Sequence, residues 1–247
     1  MMNWPGRIRD TAGLNLERLK DSRMVWAWAG VLFLAHVATV IAGWTHEDAE
    51  PWEMWGLSRG GFLAGRVWQV VTHAIIHGSW FHLALNALFL LVVGSRIEHI
   101  AGHRVVWVTL LAGILSGAAS HLALGHGILV GVSGGAFALW MLLVGLSPDS
   151  RILPFPGPCL WLGWGVLVAS LVLVVCDPLG GFGPFRELGD RFAMRFGSWI
   201  FEIGHACHLG GGLAGWLMGL WILRPRITLE ELQKERARRE ARNAREE

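Results

Sequence analysis

The stretch GVSGGAFALWMLLVGL, Gly131 to Leu146, decides how this chain is read. From Ala136 onward it is unbroken apolar sequence. It is long enough for a helix but short of the ~20 residues that cross a bilayer at ~1.5 Å per residue. Such a helix begins below the membrane surface. Its first turn carries Ser133, flanked by Gly131 and Gly134, a hydroxyl where hydrocarbon is expected. Serine attack and hydrolysis need water, so a serine placed here points to a recessed site that water reaches.

The rest of the chain fits a membrane setting. Hydrophobic residues make up 53% of the 247 and charged residues 16%, against about 25% charged in an ordinary soluble domain. Fifteen tryptophans and no tyrosine suit a protein with two membrane–water interfaces, where Trp is enriched. Cys159, Cys176 and Cys207 lie in or beside apolar runs at no metal-ligating spacing and read as small core residues. The chain does not open on an apolar run, so no cleaved signal peptide is expected. The fold class expected is all-α, a polytopic six-transmembrane-helix bundle.

The six expected spans are 24–44, 79–94, 105–124, 132–146, 160–176 and 203–223. Of the 21 Lys and Arg residues, 16 fall before the first span, after the sixth, or in the second and fourth connections. By the positive-inside rule both termini are cytoplasmic, and Ser133 lies toward the outer side. The expected organisation is a cytoplasmic N-terminal segment (1–23), a membrane domain (24–223) and a charged tail (224–247). Within the tail, Thr228-Leu229-Glu230-Glu231 fits a helix capping box. Two connections are long. In 45–78, the run Pro51 to Leu57 reads as an interfacial structure. In 177–204, Gly180, Gly181 and Gly183 punctuate an apolar loop that reads equally as a lid or as a structural cap.

Polar groups inside spans default to a functional reading. The second span opens with His82 and Asn86, four apart and so on one helix face. The sixth carries His208, Gly211 and Gly215. A neutral imidazole can take the proton that a serine hydroxyl loses as it attacks. Gly134 and Gly135 facing Gly211 and Gly215 would let the two helices approach closely and bring Ser133 to His208. Gly131 allows a tight turn before the helix. The helix N-terminal amide at Ser133, with Asn86 and His82, would face a developing oxyanion. No Asp or Glu lies in the core of the fourth or sixth span, so the pair is a dyad. Phe137, one turn beyond Ser133, is placed to stack against His208.

These three motifs, His82-x-x-x-Asn86, Gly131-x-Ser133-Gly134 and His208-x-x-Gly211-x-x-x-Gly215, resemble in order and placement those of the rhomboid intramembrane serine proteases. The resemblance runs from about Val67 to Gly219. It implies Ser133 as nucleophile and His208 as general base. It implies Asn86, His82 and the Ser133 amide as oxyanion stabilisers. It also implies cleavage in or beside a transmembrane helix of a membrane-protein substrate, and residence in a bacterial inner membrane. His73 and His77 sit where the family often has similar histidines and are expected to brace the first connection or hold water. Glu98 resembles a structural acid of the family. Two positions depart from the pattern. Trp68-Gln69 stands where Trp-Arg is frequent, with Arg66 as the expected substitute. Phe137 stands where many bacterial members have Tyr.

His205 is the competing base, but it lacks a glycine three residues on. Two rival classes remain. A metal-dependent membrane oxidase or transporter would use His73 with His77 and His205 with His208, with His121 and His126 nearby. A rhomboid-like protein could also bind helices without cutting them. On the favoured reading the partners are transmembrane substrates and the lipid bilayer. No cofactor, metal or nucleic acid is expected, and the oligomeric state is left open.

Overall fold

A computed structural model describes residues 16–44, 49–151 and 157–223, with 233, 234, 236 and 237 of the tail. Arg7, Arg9 and the capping sequence Thr228–Glu231 lie outside the described residues. A short helix α1 (Leu16–Asp21) leads into α2 (Arg23–Ile41). The first connection holds three short helices, α3 (Ala49–Trp55), α4 (Arg59–Leu63) and α5 (Gln69–Thr72). Then follow α6 (Trp80–Phe89), a π-helical turn (Leu90–Gly94), α7 (Ser95–Ala101) and α8 (His103–Leu124). The bundle is completed by α9 (Ser133–Leu146), α10 (Cys159–Val175), α11 (Phe185–Phe196), a 3-10 turn (Ser198–Glu202) and α12 (His205–Ile222).

The chain is an all-α polytopic membrane bundle. Arg23–Ile41, Trp80–Ala101 and His103–Leu124 are each long and apolar enough to cross a membrane, and Ser133–Leu146 and Cys159–Val175 are shorter apolar helices. The second span runs further than its apolar sequence suggests. The helix passes through the π-helical turn and continues to Ala101, where Gly102 at φ 86° turns the chain directly into α8. What reads as a polar connection is therefore helix. Arg96 is buried there and its guanidinium donates to the Arg151 carbonyl at 2.7 Å. The Glu98 carboxylate accepts from the backbone amides of Met24 (3.2 Å) and Val25 (3.4 Å). It supplies the acceptor that the N-terminus of α2 otherwise lacks.

Helix α9 is the centre of the molecule. Every one of its residues except Ser133 and Phe137 is buried. A helix apolar on all sides is satisfied only when surrounded, and α8, α10 and α12 surround it. The closest approach is to α12. A Cβ at Gly211 would collide with the Gly134 carbonyl, and one at Gly215 with the Ala138 carbonyl. Gly135, expected to face α12, is turned to α8 instead and presses on Leu110. The α9–α12 seam is thus a glycine-to-backbone packing that fixes the depth and rotation of both helices.

Candidate active site

At fourteen residues α9 is roughly 21 Å long, against a hydrocarbon core of about 30 Å. It is too short to cross that core from surface to surface. Gly131 precedes it at φ 100° and its amide donates to the His73 carbonyl at 2.7 Å. A side chain at 131 would be strained, and its Cβ would also meet the His82 ring at 2.7 Å. Gly131 therefore serves both the turn and the space His82 fills.

Across the seam, His208 Nε2 lies 3.0 Å from Ser133 Oγ. The Phe137 ring stacks on the imidazole with centroids 4.1 Å apart and planes 4° from parallel. The residues one turn apart on α9 thus meet the same histidine, one at its nitrogen and one at its face. Among the described residues no carboxylate is hydrogen-bonded to His208. His205 is turned away, with Nε2 at 2.7 Å from the Ile200 carbonyl in the preceding 3-10 turn.

Helix α6 supplies the opposite wall. Ser79 caps it, its Oγ accepting from the His82 amide at 3.1 Å. Asn86 Nδ2 donates to the His82 carbonyl one turn back at 3.2 Å and faces Gly131. That leaves Asn86 with a second N–H to donate. His82, Asn86, Ser133, Phe137 and His208 all line one cavity of about 750 Å³. Trp199, Phe201 and Glu202 of the fifth connection line it as well.

Behind this wall the first connection is held by buried polar groups. Gln69 is fully buried, and its Nε2 donates to the Glu53 carbonyl at 2.5 Å. Its Oε1 accepts from the Ser58 amide at 3.4 Å. Trp68 Nε1 donates to the Met54 carbonyl at 3.0 Å. Gln69, rather than Arg66, is thus the anchor of the connection; the Arg66 Nε is buried with no hydrogen-bond partner. His73 Nδ1 lies 2.8 Å from the Gln69 carbonyl. Burial pushes the His73 imidazole down from 6.5 to about 4 and the His77 imidazole to about 3. Both are neutral at neutral pH. Among the described residues, no group of three His, Cys, Asp or Glu side chains is arranged as a metal cage.

Three features have no counterpart among the sequence expectations. His36 lies within the first span, buried edge-on to Trp80 at 4.5 Å, both ring nitrogens without a hydrogen-bond partner. A polar residue in an apolar run is itself the signal that flags it. His126 pairs with Asp177 at 2.6 Å, joining the loop before Ser133 to the start of the fifth connection; nothing in their spacing announces this. The fifth connection also contains a true helix, α11, whose 3.6-residue periodicity is present in the sequence.

Comparisons with known proteins agree with this architecture. The rhomboid domain profile matches residues 64–225. Rhomboid-like protein 11, chloroplastic, of Arabidopsis thaliana is 28% identical over 162 residues, 63% of this chain and 52% of that protein. Rhomboid protease GlpG of Yersinia pestis is 24% identical over 176 residues, 70% of this chain and 54% of the protease. RHOMBOID-like protein 4 of Arabidopsis thaliana is 30% identical over 157 residues, 63% of this chain and 34% of that protein. The chain spans about half the length of the first two of these relatives. With a profile match covering α6 to α12, the stretch that builds the cavity and its walls, the chain belongs to the rhomboid family.

Proposed function

We propose that this chain is an intramembrane serine endopeptidase that cuts in or beside a transmembrane helix of its substrate. The observation that carries the reading is the 3.0 Å approach of His208 Nε2 to Ser133 Oγ in a cavity that His82 and Asn86 also line. The relative from Yersinia pestis named a rhomboid protease supports it.

In the proposed reaction, Ser133 Oγ attacks the scissile carbonyl carbon while His208 Nε2 takes the hydroxyl proton. The oxyanion is met by the Ser133 amide, the Asn86 side-chain N–H and the His82 ring. Collapse breaks the C–N bond, and His208 gives its proton to the leaving amine. Water then attacks the Ser133 ester, His208 takes its proton, and that proton returns to Ser133 Oγ as the acid product leaves. The face of Phe137 holds the imidazole in place of a carboxylate.

A substrate helix must unwind before it reacts, because the amides and carbonyls of an intact helix are paired with each other. A segment with weak helix propensity would enter from the side of α10 and the fifth connection. We place both termini in the cytoplasm and the cavity mouth toward the outer face of a bacterial inner membrane, on the charge asymmetry.

The test is reconstitution in lipid vesicles with a panel of transmembrane substrates, with cleavage sites mapped by mass spectrometry. Cleavage near helix-destabilised segments, lost in Ser133→Ala, is expected. No cleavage of any such substrate by the unsubstituted protein would count against the reading.

A further inference from the structure

We infer that α11 is an interfacial helix, seated with its apolar face in the phospholipid layer on the serine side of the membrane. Its sequence, FRELGDRFAMRF, places Phe185, Leu188, Phe192 and Phe196 at intervals of three and four residues. They form one stripe along the helix. All four are exposed large apolar side chains. Arg186, Glu187, Asp190, Arg191 and Arg195 lie outside the stripe, together with Gly189, Ala193 and one exposed apolar side chain, Met194. The combination of a sharp apolar stripe and low overall hydrophobicity is that of a helix lying in an interface rather than crossing it.

The ends of the helix fix which surface covers the stripe. Helix α10 stops at Val175, and the chain reverses through a hydrogen bond from the Phe182 amide to the Val175 carbonyl at 2.9 Å. Gly189 lies so close to the Cys176 carbonyl that a Cβ there would collide with it, so α11 crosses directly over the end of α10. After Gly197 at φ 101°, the 3-10 turn returns the chain to α12, which begins at His205, one turn before His208. Both ends of α11 are therefore tied to span ends at the level of the recessed serine. A stripe at that level would meet the same lipid as the exposed apolar side chains near the end of α10, Leu171 and Val172. Leu179, Phe182 and Trp199 of the same connection are also exposed. Arg191 and Arg195 flank the stripe, where their stems lie along apolar surface and their guanidinium groups reach phosphate. The Arg195 guanidinium sits 5.4 Å over the Phe196 ring.

One consequence reaches the cavity. Phe192 packs edge-on against Phe201, with centroids 6.5 Å apart, and Phe201 and Trp199 line the cavity. A helix held by lipid holds that part of the cavity wall. This consequence rests on the functional reading; the lipid seat does not.

The experiment is spin-label accessibility in phosphatidylcholine–phosphatidylglycerol vesicles, on the full chain, with single labels at Phe185→Cys, Leu188→Cys, Glu187→Cys and Asp190→Cys. The native Cys159, Cys176 and Cys207 are buried, and labelling of the unsubstituted protein checks their silence. At 185 and 188, collisions with lipid-soluble oxygen should exceed those with a water-soluble nickel chelate. At 187 and 190 the ratio should invert. Equal nickel accessibility at all four sites would overturn the inference and leave α11 in water. Protection of 185 and 188 from both reagents would also overturn it, because a second protein copy would then cover the stripe. The readout does not depend on proteolysis, so failure here and failure of the protease reading are distinguishable.

Discussion

The Phe137 ring lies flat on the His208 imidazole, 4.1 Å between centroids and 4° from parallel, while Ser133 one turn earlier meets the same imidazole at Nε2. One helix thus supplies both the hydroxyl and the surface that orients its partner. Such an aromatic contact is worth about 1 kcal/mol beyond its buried area. Phe137→Leu should lower the turnover number about fivefold through loss of ring orientation, the rate equivalent of ~1 kcal/mol of positioning, and Phe137→Tyr, which keeps the stacked ring, should stay within about twofold. Steady-state cleavage with separate kcat and KM checks this; equal activity in all three proteins would remove Phe137 from the site.

The seam between α9 and α12 should be intolerant of a single methyl group. Gly215→Ala places Cβ on the Ala138 carbonyl, and overpacking of this kind destabilises by about 1–3 kcal/mol. Gly30, on α2, has nothing within 4 Å of where a methyl group would stand. Gly30→Ala should be neutral or stabilising by up to about 1 kcal/mol. Thermal unfolding of both variants in one detergent gives the comparison.

Gln69 holds the first connection through the Glu53 carbonyl and the Ser58 amide. Gln69→Leu removes both of these part-buried hydrogen bonds, at about 0.5–1.5 kcal/mol each. Proteolytic nicking within residues 49–78 should rise in that variant. Arg66→Ala should change it little.

Acid should loosen the same connection. Burial lowers the His73 imidazole from 6.5 to about 4 and the His77 imidazole to about 3. The unfolded state then binds protons that the folded state refuses. Stability is full above about 6.5 and falls as the pH drops toward about 4. By a pH of about 5 the loss is on the order of 2 kcal/mol per histidine. Unfolding measured from about pH 7 to about pH 5 should show the decline, and His73→Asn should flatten it.

Much of this molecule is legible in its sequence because lipid imposes simple rules. Helix α9 reads as short and apolar, and the structure adds that it is surrounded, burying all but Ser133 and Phe137 of it. Span ends read less well. Arg96 and Glu98 mark a connection by charge, yet both lie on helix, where one reaches the Arg151 carbonyl and the other caps α2. Such partners are distant in sequence, and no local pattern encodes them. The His126–Asp177 pair escapes for the same reason. Gln69 reads as a departure from a pattern, and its partners explain it: a buried neutral amide can donate to one backbone group and accept from another. Gly135 shows the limit of motif reading, since two adjacent glycines on a helix point about 100° apart and serve different neighbours.

The Ser133–His208 pair is tested most directly by covalent labelling. Purified protein in vesicles is treated with a fluorophosphonate, and the modified residue is located by mass spectrometry. An adduct at Ser133 is expected in the unsubstituted protein and in His205→Ala, with a loss of at least about a hundredfold in rate for His208→Ala, the scale of general-base assistance. An adduct forming at full rate in His208→Ala, or one that requires His205 instead, would contradict the pairing.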